Sequence, residues 1–306
     1  ITLSGQLAIR WAEKIVNEYL NNVLKTEDED YVIAIDTDSI YITMDKLVQQ
    51  VLPDAPKNKV IDFLSKAETQ IEDVLEKGFI DLADYTNAFE QKMEMGREVI
   101  ADRGIWTAKK RYILNVHDNE GVRLTTPKLK MMGIETAKSS TPLWVRKKLE
   151  EALNVVMTGN EQELWQFVET ARKEFRNLPA EDASFPRGCR GLVQYQDPTT
   201  IYSKGTPIHV RGALLYNHHL REKSLDMRYE TIKNGEKIHF TYLTTPNPIN
   251  ENVISFTSVL PKEFDLHRFV DYDMQFDKSF VEPLKAIVQL INWNVEPVAS
   301  LDSFFS

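Results

Sequence analysis

Two aspartates separated by a single residue, Asp36 and Asp38, are the pair in this 306-residue chain best suited to chemistry. They follow the short β-branched run Tyr31-Val-Ile-Ala-Ile35 and precede a second apolar run, Ile40-Tyr-Ile-Thr43, a pattern that reads as strand, tight acidic turn and strand. Residues i and i+2 of a strand project from one face about 6.6 Å apart along the chain, so both carboxylates can point at one site. Hard oxygen ligands of this kind suit magnesium, which is held by one or two carboxylates together with substrate phosphates. Flanking strands supply the rigid base that such positioning needs. The same spacing also arises where an aspartate only hydrogen-bonds its own backbone in a turn.

A second cluster, Lys109-Lys-Arg-Tyr112, sits inside the one basic block of an acidic chain. The net charge is −9, yet residues 92–148 carry thirteen cationic side chains against six acidic ones, a local balance of +7 that leaves −16 elsewhere. Such a block fits a track for a polyanion on a surface that otherwise repels one, and it equally fits a solvated face or a lysine-blunted strand edge. The single cysteine, Cys189, excludes an intramolecular disulfide and suits a reducing compartment. No apolar run approaches the roughly 20 residues of a membrane span.

The elements that must position these groups are legible as periodicities. Apolar residues from Leu3 through Leu7, Trp11, Ile15, Tyr19 and Val23 predict an amphipathic helix over Thr2 to Leu24, and a second long helical pattern runs from about Asn58 to Leu82. Glu98-Val-Ile100 and Arg111 to Val116 read as strands, the latter turning at Asp118-Asn-Glu-Gly121. Helical patterns return over Pro142 to Thr158 and Glu161 to Phe175, followed by a stretch punctuated by glycine and proline from Pro186 to Pro207. Asn234-Gly235 between Ile232 and Ile238 predicts a β-hairpin. A domain boundary is expected between Lys128 and Pro142, where strand patterning gives way to helices.

An apolar strand ending in Asp-x-Asp is also how haloacid-dehalogenase-type phosphatases present nucleophile and acid, but those enzymes carry threonine or valine where this chain has Ile40, and here a second strand follows. The run from Tyr31 to Ile42, with Asp36-Thr-Asp-Ser39 at its core, instead resembles the third polymerase motif of family B DNA polymerases. Trp106-Thr-Ala-Lys-Lys-Arg-Tyr112 is similar to that family's Lys-Lys-x-Tyr motif. Lys128 to Pro142 and Pro207-Ile-His-Val-Arg-Gly212 are similar to the palm-to-thumb junction and thumb of T-even-type bacteriophage replicative polymerases. Order and spacing agree across nearly the whole chain.

The resemblance implies an α+β fold: an antiparallel-sheet palm with packed helices over residues 1–135, a mainly helical thumb with a small β element over 136–299, and a C-terminal clamp-binding peptide over 300–306. It implies template-directed nucleotidyl transfer from dNTP to a primer 3′-hydroxyl, using two Mg2+ ions shared with an acid outside this chain. Asp38 is then the shared metal ligand and Asp36 the supporting acid, with Thr37 and Ser39 shaping the turn. Glu98 stands where related phage enzymes carry an accessory acid, although the acid usually found two residues earlier is Gly96 here. Lys109, Lys110, Arg111 and Tyr112 are expected to contact primer-template DNA, with Lys128, Lys130 and Lys138 continuing the phosphate track and Arg187, Arg190 and Arg211 contributing from the thumb. His209 is open to either a buried structural role or a DNA contact.

Motifs the family places upstream do not occur in the chain: the first, with another metal-binding aspartate, the second, with a triphosphate-binding lysine, and the exonuclease acids. Ile1 to Gln6 looks like the stretch just after the second motif. The chain is therefore expected to be a C-terminal portion that works with an N-terminal polymerase portion in the cytoplasm of a phage-infected bacterium. The alternative is a non-catalytic module that binds primer-template and sliding clamp. Leu301, Phe304 and Phe305 lie at i, i+3 and i+4 and resemble the sliding-clamp-binding peptide of these polymerases, with Val298 in place of the broader motif's glutamine. A tail packed on its own thumb is the other reading.

Overall fold

A computed structural model describes residues 2–134 and 138–297. The chain forms two compact units, Ile1–Met132 and Gly133–Ser306. It is of mixed α+β class, and every paired strand among the described residues is antiparallel. No helix among these residues is long and apolar enough to cross a membrane.

In the first unit, α1 (Thr2–Leu24) packs on α3 (Lys57–Tyr85), with the short α2 (Asp45–Val51) between them in sequence. The apolar stripe of α1 supplies Ala12, Val16, Leu20 and Leu24, which bury against Leu75, Phe79 and Leu82 of α3 and against Tyr31 and Val32. Gly78 permits the close approach. A Cβ there would stand 2.1 Å from Ile15 Cδ1, while its carbonyl accepts the Trp11 indole N–H at 2.8 Å.

Strands β1 (Val32–Asp36) and β2 (Ser39–Ile42) form a hairpin with Asp36 opposite Ser39. Its base is pegged to α1 by Asn17, whose Oδ1 accepts the N–H groups of Tyr31 at 2.8 Å and Val32 at 3.1 Å. Strands β3 (Val99–Ala108), β4 (Arg111–Asn119) and β5 (Val122–Met132) make a three-stranded meander. Ion pairs fasten α3 to this sheet and to the segment leading into it: Lys57 to Asp102 at 2.5 Å, Asp62 to Arg123 at 2.8 Å and Glu68 to Arg97 at 2.6 Å. Arg97 also reaches the buried carboxylate of Asp118 at 2.6 Å.

The second unit begins with the helical pair α4 (Leu143–Thr158) and α5 (Glu161–Phe175). Asn160 caps α5, accepting the Glu163 N–H at 3.0 Å and donating to the Glu163 carboxylate at 2.8 Å, a reciprocal cap that fixes the helix start. Then follow α6 (Ala180–Ala183), β6 (Phe185–Gly188), α7 (Leu192–Tyr195), the two-residue strands β7 (Gln196–Asp197) and β8 (Ile201–Tyr202), and α8 (Ile208–Glu222). Strands β9 (Lys237–Tyr242) and β10 (Val253–Phe256) complete a sheet in the order β10-β9-β6, and α9 (Tyr272–Phe276) and α10 (Glu282–Val288) close the unit. α8 lies directly on β10, where a Cβ at Gly212 would stand 2.8 Å from the Ser255 backbone nitrogen.

The hairpin expected at Asn234-Gly235 does not form. The turn is present, but only β9 follows it, and the Ile232 side is held by side chains instead. Asn217 exchanges two hydrogen bonds of 2.8 Å with the Ile232 backbone, and Asn234 Oδ1 accepts the Gly191 N–H at 2.7 Å. With those backbone groups satisfied elsewhere, no ladder is left for a partner strand.

Candidate active site

The acidic turn differs in its geometry from two residues of one strand. Asp36 ends β1, Asp38 sits in the connection, and the chain reverses between them. The Asp38 N–H donates to the Asp36 carbonyl at 2.7 Å, a three-residue turn with Thr37 at φ +57°. For a β-branched residue that φ is a strained outlier, costing on the order of 1–3 kcal/mol, and strain of this kind persists only where the surroundings over-determine it. Thr37 Oγ1 donates to Asp36 Oδ1 at 3.0 Å. Asp36 is half-buried and Asp38 exposed, and neither pairs with a cation among the described residues. Two uncompensated carboxylates on a rigid, strained turn are a donor set that fits a hard divalent cation.

The cationic motif is a turn as well. Lys109 and Lys110 form the two-residue connection between β3 and β4, with Ala108 opposite Arg111 and Lys110 at φ +59°. Lys109, Lys110 and Arg111 are exposed and make no ion pair among the described residues. Arg103 and Lys128 on the same sheet are likewise exposed and unpaired. Other members of the block are committed: Arg97 and Arg123 to the acids that dock α3, Lys92 to Glu90, Lys148 to Glu151 and Glu174, and Lys130 to Glu98 at 2.7 Å.

Tyr112 is not displayed with its neighbours. It is only 4% exposed, packed with Tyr41 of β2 and Trp106 of β3 at centroid distances of 5.4 Å and 6.5 Å, while Tyr41 and Trp106 are 5.4 Å apart. Because Trp106 lies across the strand pair from Tyr112, a short hairpin brings both rings to one side. Gly104 leaves room for the indole, since a Cβ there would stand 2.6 Å from Trp106 Cζ3. This aromatic trio joins the acidic turn to the lysine turn, and the sequence reading gave Tyr41 and Trp106 no part in it. The signal was available: an aromatic two residues beyond Ser39, and a Trp-Tyr pair straddling Lys109-Lys110. Burial, the adjoining Tyr112 hydroxyl, and the carboxylates of Asp36 and Glu98 all push the Tyr41 phenol well above its ordinary value. Both acids therefore lie within electrostatic reach of one phenol.

Among the thumb candidates, Arg187 and Arg190 are exposed and unpaired among the described residues. Arg211 is half-buried, bonded to Asn252 and stacked over Tyr202 at 5.6 Å. His209 is half-buried beside Phe240 at 6.2 Å, and burial, with the nearby charge of Arg187, lowers its imidazole below the ordinary value. Lys138 is half-buried. Leu301, Phe304 and Phe305 lie outside the described residues.

No family model matches the chain. Two relatives match it from end to end: the DNA-directed DNA polymerase of Enterobacteria phage T4, 34% identical over 320 aligned positions, and that of Escherichia phage RB69, 36% identical over 321. The chain spans 35% of the length of each. Along its whole length, then, this chain is similar to about a third of a phage DNA-directed DNA polymerase, in keeping with the resemblance carried by Asp36-Thr-Asp-Ser39 and Lys109-Lys-Arg-Tyr112.

Proposed function

We propose that the chain is the palm and thumb portion of a replicative DNA-directed DNA polymerase, extending a primer from dNTPs in a phage-infected bacterium. The observation that carries this reading is the strained, unneutralised Asp36–Asp38 turn tied through Tyr41 to an unpaired lysine turn, in a chain matched end to end by two phage polymerases. Residues 1–135 form the palm, 136–299 the thumb and 300–306 the clamp peptide. An N-terminal portion supplies the remaining acid and the nucleotide-binding lysine.

Asp38 and Asp36 would hold Mg2+, which when bound polarises phosphoryl oxygens and lowers the pKa of a hydroxyl. The chain's own contribution is positional. The β1–β2 hairpin, anchored by Asn17 at its base and Tyr41 at its flank, fixes the carboxylates where the primer 3′-hydroxyl meets the incoming α-phosphate. Lys109, Lys110 and Arg111 neutralise phosphates of the duplex behind that point and carry no sequence information in doing so. Tyr112, buried, orients the motif from beneath.

Primer extension with and without the N-terminal portion tests the proposal. The chain alone is expected to incorporate nothing, and the complemented enzyme to extend a primer. Asp38→Ala is expected to abolish extension while leaving DNA affinity and melting temperature nearly unchanged, because the side chain is exposed. DNA and clamp binding without extension in the complemented pair would favour the non-catalytic module, and near-normal rates in Asp38→Ala would remove Asp38 from the metal site.

A further inference from the structure

The last turn of α8 carries a cluster that polymerase chemistry leaves unused. His218, His219 and Glu222 each offer a ligand atom, and the three atoms lie within 4.8 Å of one another. Spacings of three and four residues put both imidazoles on the side of the helix from which Glu222 projects. The His219 ring is set in place: it is only 13% exposed, edge-on to Phe264 at 6.1 Å and to His218 at 5.1 Å, with Nδ1 2.8 Å from Glu222 Oε2. His218 is exposed and lines a cleft of about 410 Å³, which leaves an open side for water.

We propose that His218, His219 and Glu222 form a binding site for a divalent transition metal of the zinc class. Two imidazoles and one carboxylate, with water in the fourth position, are an ordinary donor set for zinc and a poor one for magnesium. Tetrahedral zinc places its ligand atoms about 3.3 Å apart, so the cluster closes by rotations of the exposed His218 and Glu222 side chains while His219 stays fixed. The flanking cations Arg221 and Lys223 oppose the metal's charge, which sets the expected affinity at micromolar rather than at the level of a structural zinc site. Among the described residues no other three such donors come this close together, Cys189 is buried with its thiol pushed up to about 11, and Asp36 and Asp38 offer hard oxygens only. The proposal stands apart from the polymerase reading.

Titration of the 306-residue chain with ZnCl2 in a large excess of MgCl2, followed by calorimetry and by the histidine Hε1 resonances, tests it. One zinc equivalent at micromolar affinity is expected, with the His218 and His219 resonances shifting together. His218→Ala and His219→Ala are each expected to weaken binding by about tenfold or more, with helical circular dichroism unchanged. Zinc affinity that is the same in the wild type and the double variant, or no zinc binding at micromolar concentration, overturns the proposal.

Discussion

The rings of Tyr41 and Tyr112 lie with centroids 5.4 Å apart at 60°, so the strand leaving the acidic turn rests on the strand leaving the lysine turn. Two motifs seventy residues apart are thereby held as one body. Tyr41→Ala is expected to lower the single-turnover rate of the complemented enzyme by at least about tenfold, since small displacements of positioned groups are costly, while DNA affinity stays within about twofold because the lysines remain. Tyr41→Phe keeps the ring and removes only the hydroxyl, about 1 kcal/mol of stability, and should restore most of the rate. A Tyr41→Ala enzyme that melts earlier but turns over normally would reduce the contact to packing.

The lysines divide into bare and paired. Lys109→Ala and Lys110→Ala should each flatten the slope of log affinity against log salt by about 0.9 on primer-template of any sequence. Lys130→Ala should change that slope less, because Lys130 is already neutralised by Glu98 at 2.7 Å. If just one of the two turn lysines alters the slope, the other is expected to act in the minor groove and its loss to weaken discrimination against a mismatched primer end. Identical slopes in wild type and both single variants would make the turn a solvated edge.

The helices α1, α3, α4 and α5 were readable because each buries one stripe, and burial writes a 3.6-residue period into the sequence. β5 was not, since its eleven residues are largely exposed or half-buried and alternate no apolar face. The extent of β3 beyond Ile100 was hidden for a related reason: Ala101-Asp-Arg-Gly104 offers no run of apolar residues, and Asp102 is held there by Lys57, Asn115 and His117, all distant in sequence. Chemistry was legible as residue types at Asp36 and Asp38, whereas the strain at Thr37 and the support from Tyr41 and Asn17 depend on contacts distant in sequence. α8 shows the same limit, because nearly its whole circumference from Val210 to Leu220 is buried and no amphipathic period survives.

His209 gives a pH dependence with a defined sign. Its imidazole is kept neutral by burial and by the Arg187 charge, so the unfolded chain binds the proton more readily than the folded one. Stability from this group is complete above the unfolded value of about 6.5 and is lost as pH falls toward the depressed folded value. The urea midpoint of the wild type should therefore drop on acidification below about pH 6.5, and His209→Gln should lessen that drop. Equal slopes in the two proteins would exclude the histidine as the source. A neutral His209 also carries no charge for a phosphate at neutral pH, which leaves that part of any duplex contact to Arg187 and Arg190.

The terminal segment separates tethering from chemistry. We propose that a contact made by Leu301, Phe304 and Phe305 holds the enzyme on DNA while the chemistry is done at Asp36 and Asp38. A tether works through effective concentration, often millimolar for a short flexible link, and even a weak peptide contact then prolongs residence. Burying three such side chains on a ring-shaped clamp would contribute about 1.5–3 kcal/mol each before ordering costs. Deleting residues 301–306 from the complemented enzyme is expected to preserve the single-turnover rate, abolish stimulation by the clamp and shorten the tracts synthesised. Stimulation that survives the deletion would assign the clamp contact elsewhere, and a lowered melting temperature would instead place the three side chains in the core of the chain's own second unit, where their loss removes packing rather than a partner.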